Sequence, residues 1–122
     1  MFGVFGRPKL DAKFVAAQAH SDEFSREIEV AGRLTVSNEG SDAEVADVEM
    51  IVIAGFRRIP LDVPADWRTF ALAKGARKEG ELHWKLKLDS PLRAQAGELY
   101  VSARDQKRRK SEWRLPFTFE LR

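Results

Sequence analysis

The chain has 122 residues and no Cys, and its 21 Lys and Arg against 19 Asp and Glu give a formal net charge of +2. This length fits one domain that buries its own core, and the lack of Cys excludes disulfides, thiolate nucleophiles and Cys-ligated zinc. No apolar run approaches the roughly 20 residues of a membrane span, and the start lacks the features of a secretory signal, so we expect a cytoplasmic protein.

The first part of the chain shows the two-residue alternation of strands with one buried face. Alternating apolar residues predict a first strand of about 10–17, and the polar segment His20–Asp22 predicts the turn after it. A second strand follows over Glu27–Ser37, where Gly32 indicates a bulge or a close backbone approach. The dense turn residues of Ser37–Asp42 predict an exposed hairpin connection.

The middle of the chain is richer in β-branched residues. Val45–Ala54 carries apolar side chains on both faces at one end, which predicts a central strand. Gly55 permits a bend into Phe56–Val63, and Pro60 and Pro64 place that piece on a sheet edge.

The next segments alternate between short elements and turns. Ala65–Ala73 fits either a short strand through Trp67, Phe70 and Leu72 or one to two helical turns. Lys74–Gly80 reads as a turn. A strictly alternating strand then runs over Leu82–Leu88 and ends at Asp89-Ser90-Pro91.

The C-terminal part predicts two more strands around a polar loop. One strand includes Leu99–Ala103, the loop spans Asp105–Ser111, and a terminal strand spans Trp113–Arg122 with Trp113 facing the core. The total is about eight short strands with turn signals between them and no long helix. This pattern predicts an all-β, antiparallel β-sandwich of immunoglobulin-like architecture, with an eight-stranded barrel as the alternative. We expect a single domain over 10–122, preceded by an apolar, flexible lead at 1–9.

Three segments resemble the N-terminal sandwich of arrestin-like proteins, including the bacterial sporulation-control family. They are Val30–Val36, Val45–Ile53, and Trp84–Leu88 followed by Pro91 and Gly97–Ala103. The chain departs from the family where Phe24-Ser25-Arg26 replaces a Pro-Gly, and it lacks a second sandwich. The resemblance implies an arrestin-like scaffold or adaptor without catalysis, and it assigns no functional residue because every matched position is a packing position.

Charge is distributed unevenly along the chain. Nine acidic and two basic residues fall in Ser21–Glu49, whereas six basic and two acidic residues fall in Arg104–Arg114. The candidate binding loop within the basic stretch consists of Lys107, Arg108, Arg109 and Lys110. Such a loop can neutralise phosphates, with Trp113 beside it to stack on a base, but it also fits a solvated hairpin tip.

Two further groups of residues are candidates for binding. Arg57 and Arg58 extend the basic patch if the fold brings them near it. Phe2 and Phe5, spaced by glycines, either tuck into the domain or dock on a partner or a second copy.

No constellation of catalytic or metal-ligating residues stands out. The two histidines, His20 and His83, lack the close spacing of zinc ligands and fit ordinary surface positions. Carboxylate pairs such as Glu27 and Glu29 fit a solvated sheet face better than a glycosidase site. We therefore predict a protein that is not an enzyme and needs no metal or cofactor.

The leading functional hypothesis is a non-catalytic binding or scaffold module that uses loops and an edge strand for protein–protein contacts, with a protein partner or self-association. The alternative is a binder of anionic partners, either nucleic acid or an acidic membrane surface, through the basic loop in 104–114.

Overall fold

The alternating segments close into two sheets that face each other across one hydrophobic core. The structure, a computed structural model, describes residues 6–122. Within that range it contains nine strands and one helical turn: β1 Leu10–Asp22, β2 Glu27–Asn38, β3 Ala43–Ala54, β4 Arg57–Pro60, α1 Ala65–Arg68, β5 Phe70–Leu72, β6 Arg77–Lys87, β7 Ala96–Arg104, β8 Lys110–Thr118 and β9 Glu120–Leu121.

Sheet 1 has the strand order β6-β2-β1-β9, and sheet 2 has the order β4-β3-β7-β8, with β5 pairing with the first residues of β3. All paired strands are antiparallel except β9, which runs parallel to β1. Val30 and Leu34 of sheet 1 and Val52 and Leu99 of sheet 2 are almost completely buried in the core. The prediction of an all-β antiparallel sandwich is therefore confirmed, with nine strands in the described residues.

β1 is longer than the sequence predicts because it contains a bulge. The expected end near residue 17 is wrong, since pairing with β2 continues to Asp22 and skips a residue between Ala16 and Gln18. The bulge shifts the alternation of inward and outward side chains by one position, so the two-residue pattern in the sequence breaks there. Opposite the bulge, a Cβ on Gly32 would lie 2.5 Å from the Val15 carbonyl oxygen, which confirms the close backbone approach.

The Ser37–Asp42 segment does not form the expected exposed hairpin connection. It carries the chain from sheet 1 to sheet 2, and Asn38 within it is completely buried. The Asn38 amide nitrogen donates to the carbonyl oxygens of Ser41 at 2.7 Å and Leu72 at 2.8 Å, while its side-chain oxygen accepts from the backbone nitrogens of Lys9 at 3.1 Å and Gly40 at 2.9 Å. The side chain thus replaces the backbone partners that a crossover segment lacks.

The middle of sheet 2 largely follows the prediction. β3 pairs on both sides and buries both Ile51 and Val52, as expected of a central strand. β4 lies at the edge with Pro60, and the Ala65–Ala73 segment contains both of the expected alternatives, the turn α1 and the strand β5. No helix in residues 6–122 is long and apolar enough to cross a membrane.

Two further boundaries differ from the sequence prediction. The predicted turn at Lys74–Gly80 is wrong beyond Ala76, because β6 starts at Arg77 and pairs with the end of β2. The predicted terminal strand is interrupted at Phe119, which is 1% exposed, and the chain then crosses to sheet 1 as β9. Trp113 is half-buried and packs against the core, as predicted.

Asn38→Ala is expected to lower the free energy of unfolding by about 3 kcal/mol, because it leaves buried backbone donors and acceptors without partners. Chemical denaturation measures this loss. The matched control is Ser37→Ala on the neighbouring, half-buried side chain, with an expected change of less than about 0.5 kcal/mol. Equal stabilities for the two variants would contradict the structural role of Asn38.

Candidate functional site

Three connections meet at one end of the sandwich, and we call this surface the loop end. It comprises the β1–β2 turn at 23–26, the β3–β4 turn at 55–56 and the β6–β7 connection at 88–95. The Leu88 nitrogen donates to the Arg26 carbonyl oxygen at 2.8 Å, and a Cβ built on Gly55 would lie 3.8 Å from Ala94 Cβ. The long connection therefore contacts both turns.

Two aromatic side chains project from the loop end into solvent. Phe24 in the first turn is 95% exposed, and Phe56 in the second is 106% exposed. One exposed apolar residue is ordinary, but two fully exposed Phe side chains on turns that share a neighbouring loop are not required by the core. They are the two aromatic residues among the exposed large hydrophobic side chains of residues 6–122.

Local hydrogen bonds and backbone conformation hold these turns in shape. Asp22 Oδ1 accepts hydrogen bonds from the Phe24 nitrogen at 2.9 Å and the Ser25 nitrogen at 3.1 Å. These bonds, with that from Ser25 the strongest cause, keep the pKa of Asp22 below its ordinary range. Arg26 and Gly55 adopt positive φ values of 59° and 61°, which close the two turns. Phe24 and Phe56 are thus carried by ordered turns.

The 88–95 connection is anchored in the core between the sheets. Leu92 is 4% exposed, and its carbonyl oxygen accepts a buried hydrogen bond from Ser21 Oγ at 2.6 Å. On the other side, Arg57 Nη1 donates to the Ser90 carbonyl oxygen at 2.9 Å. One loop therefore fixes β1 of sheet 1 relative to β4 of sheet 2 at the base of the loop end.

The arginines of the loop end are occupied within the chain. Arg93 pairs with Glu23 at 2.7 Å, and Arg26 Nη1 donates to the Asp89 carbonyl oxygen at 3.2 Å. Together with the Arg57 contact, these bonds leave a polar rim of mixed charge around the two Phe side chains. The loop end has no concentrated positive field of the kind that attracts a polyanion.

Sequence reasoning missed Phe24 and Phe56, although a signal was present. Each is a large aromatic residue within a polar turn, where it falls outside the alternation of the flanking strands. A turn gains no stability from such a residue, so its presence can be read as a surface feature. Phe24 and Phe56 lie at the same end of the sandwich because the two turns that carry them do, and the sequence pattern does not predict which turns share an end.

The basic loop is partly neutralised by the acidic stretch of the same chain. Arg108 Nη1 lies 2.6 Å from Asp47 Oδ2, and Asp47 sits at the irregularity in β3 with a φ of 53°. The buried Asp105 accepts from the backbone nitrogens of Lys107 at 2.8 Å and Arg109 at 3.0 Å. The opposite charges seen in the sequence thus meet inside one molecule at this loop.

The remaining bases of the loop are exposed to solvent, but Arg57 and Arg58 do not lie near them. Lys107 and Arg109 are exposed, and the one ion pair of Lys110 in residues 6–122 is a long contact of 3.9 Å with Glu112. Arg58 lies over the Tyr100 ring at 5.7 Å, near the opposite end of sheet 2. By strand rise, that end is about 20 Å from the basic loop, so Arg57 and Arg58 do not extend the patch. Phe2 and Phe5 lie outside the described residues.

Both histidines contact one carboxylate on the outer face of sheet 1. His20 Nε2 lies 2.6 Å from Glu29 Oε1, and His83 Nε2 lies 2.5 Å from Glu29 Oε2. Because a carboxylate only accepts, both rings donate. The bond from His83, reinforced by that from His20, holds the pKa of Glu29 below its ordinary range despite partial burial. The described residues contain no group of three or more His, Cys, Asp or Glu arranged to hold a metal ion.

Comparison with known proteins supports the fold and assigns no activity. No family model matches the sequence, and neither does any curated protein. The chain is similar to the structure of the putative ApaA protein from Bordetella pertussis, with 17% identity and a TM-score of 0.52 over 95% of this chain and 93% of that chain. It is also similar to the structural genomics target SoR45, with 10% identity and a TM-score of 0.54 over 98% of this chain and 89% of that one. These likenesses show a shared fold.

A third similar structure is an enzyme, the β-glucosidase from Kluyveromyces marxianus. The match has 11% identity and a TM-score of 0.47, and it spans 94% of this chain but 15% of the enzyme. A likeness at this level carries no argument about activity.

Glu29→Gln is expected to reduce the acid sensitivity of folding. Because its folded pKa is lowered, Glu29 contributes stability above about pH 4.5, and this contribution is lost as the pH falls further through the folded pKa. Urea denaturation from pH 7 to pH 3 should show a smaller stability loss in the variant than in the wild type. Glu27→Gln, on the same face of β2, is the control and should follow the wild type; equal pH slopes for Glu29→Gln and the wild type would refute the assignment.

Proposed function

We propose that this chain is a non-catalytic binding module that docks a protein partner through its loop end. The observation that carries the proposal is the pair of fully exposed side chains, Phe24 and Phe56, on turns braced by one anchored loop. Rigid aromatic side chains are common anchors of protein interfaces, because they bury a large area while losing little conformational freedom. The arrestin-like resemblance implies the same class of adaptor and remains a prediction.

The surroundings of the two Phe side chains favour a protein partner over an acidic membrane or nucleic acid. A protein interface combines an apolar centre with a polar rim of both charges. The Arg93–Glu23 ion pair supplies both charges here, and the hydrogen bond from Arg26 to the Asp89 carbonyl oxygen adds a polar contact. Binding of a polyanion would favour bases without acidic residues among them, whereas Glu23 and Asp89 belong to the loop end. We also propose a cytoplasmic location, because a chain without Cys suits a reducing compartment.

The basic loop supports the alternative, an anionic partner, less well. Arg108 pairs with Asp47 at the surface, which offsets one positive charge of the loop, and Lys107, Arg109 and Lys110 are its other exposed bases. Lys107→Glu/Arg109→Glu reverses two of these charges and keeps the Arg108–Asp47 pair. This variant is therefore the appropriate comparison for the loop-end variant described next.

Phe24→Ser/Phe56→Ser is expected to lower partner affinity by about 2 kcal/mol, roughly thirtyfold. The free energy of unfolding should change by less than about 0.5 kcal/mol per site, because neither side chain packs in the core.

Photo-crosslinking can capture the partner in cells of the organism that makes this protein. The photoreactive residue benzoylphenylalanine is placed at position 24 or 56, and position 15, whose Val is 70% exposed on sheet 1, is the control. We expect one discrete adduct from positions 24 and 56 and none from position 15.

The specificity of that adduct decides between surfaces. Phe56→Ser should abolish the adduct formed from position 24, whereas Lys107→Glu/Arg109→Glu should leave it intact. Loss of the adduct only in the charge-reversed variant would move the site to the basic loop. Phe-dependent sedimentation with phosphatidylserine vesicles, without any protein adduct, would replace the protein partner by a membrane.

A further inference from the structure

The strand β6 forms a long, open edge of sheet 1. It spans the eleven residues Arg77–Lys87, and β2 is its only strand partner in residues 6–122. Its pairing with β2 runs over the whole length without a register shift. An uninterrupted edge of this kind presents a row of backbone donors and acceptors that can pair with another strand.

The other edges of the described sheets carry features that oppose strand addition. β8 contains Pro116, which lacks a backbone donor, and β4 ends at Pro60. β5 and β9 have only three and two residues. Short strands and prolines are common protections of sheet edges. β6 has neither. The 62–68 segment contacts inward-facing side chains of β6, as in the hydrogen bond from Trp84 Nε1 to the Asp62 carbonyl oxygen at 2.9 Å, but no other backbone group in residues 6–122 bonds to its free edge.

Those charges follow a pattern that is antisymmetric about His83. On the outer face of β6, acidic residues precede His83 and basic residues follow it, and at the next position on each side the signs are reversed. In order, the outward residues are Arg77, Glu79, Glu81, His83, Lys85 and Lys87, followed by Asp89 just beyond the strand. Charges of one sign would repel a second copy of the strand, whereas this order is complementary to its own reversal.

We propose that β6 pairs antiparallel with β6 of a second copy, with the two-fold axis at His83. This register places Glu81 opposite Lys85 and Glu79 opposite Lys87, and the symmetry repeats each pair. Opposite charges directly across an antiparallel pair stabilise it. The proposal concerns a different surface from the loop end and does not depend on it.

The inner face of β6 is compatible with the same register. Leu82 of one copy lies opposite Trp84 of the other, and Gly80 lies opposite Leu86. Leu82 and Trp84 are buried in the core at 3% and 7% exposure, while Leu86 is half-buried at the side of the sandwich. Pairing therefore makes one continuous eight-stranded sheet whose apolar face continues from one copy to the other.

Contacts within the chain leave the necessary charges accessible. Arg33 reaches Glu79 at 3.5 Å and Glu81 at 3.4 Å, and Arg77 Nε lies 3.2 Å from Glu79 Oε1. All of these are contacts at the surface, and Glu81 keeps 80% of its side chain exposed. Exposed pairs of this kind contribute little and exchange partners readily. Lys85 and Lys87 are exposed and form no ion pair within residues 6–122.

A charge-swap series measured by sedimentation equilibrium at low salt tests the pairing. Wild type should form a dimer, and Lys85→Glu should raise the dimer dissociation constant about tenfold or more, because it creates two repulsive contacts with Glu81. Glu81→Lys/Lys85→Glu should restore the wild-type constant. Lys13→Glu, on the outer face of β1, is the control and should not change it.

Cysteine crosslinking tests the register, since the chain has no native Cys. His83→Cys faces itself across the two-fold axis and should form a disulfide-linked dimer under mild oxidation, because opposed Cβ atoms lie about 5 Å apart. Glu81→Cys, which is more exposed, should not link with itself but should link in the variant Glu81→Cys/Lys85→Cys. A monomeric wild type, failure of the charge swap to restore pairing, or equal crosslinking of His83→Cys and Glu81→Cys would overturn the proposal.

Discussion

The arrangement of this sandwich at its loop end depends on how Leu88–Gln95 is anchored between the sheets. Leu92 inserts into the core, and its carbonyl oxygen accepts the buried hydrogen bond from Ser21 Oγ. Because a buried polar group without a partner is costly, the loop has little freedom to move away from β1. The turns that carry Phe24 and Phe56 are braced against this loop, so the same interaction that joins the sheets also positions the exposed aromatic side chains.

Electrostatics distinguish the surfaces of the molecule. The basic loop contacts the acidic stretch of the same chain through the Arg108–Asp47 ion pair, which offsets part of its positive charge. The loop end has a balanced rim, which suits a protein interface better than a polyanion. β6 carries a third arrangement, in which opposite charges are separated along one strand and complement a second copy. A dimer through β6 would present two loop ends to a partner, which would increase avidity.

The sequence predicted those features that depend on local pattern. Strict alternation identified the β6 segment around Trp84, and Gly32 indicated the close approach of backbones. It failed where one residue changes the pattern, as at the β1 bulge, and where a crossover depends on a single buried side chain, as at Asn38. The contact of Glu29 with both histidines joins three strands, so no spacing along the chain could reveal it.

Amide hydrogen exchange on the chain, alone and saturated with the crosslink-identified partner, locates the surface that the partner covers. If the partner docks on the loop end, protection on binding is concentrated in the three connections at 23–26, 55–56 and 88–95. The backbone amides of the basic loop at 107–110 should exchange at the same rate in both states. Protection of that basic loop, with the three connections unchanged, would contradict the account.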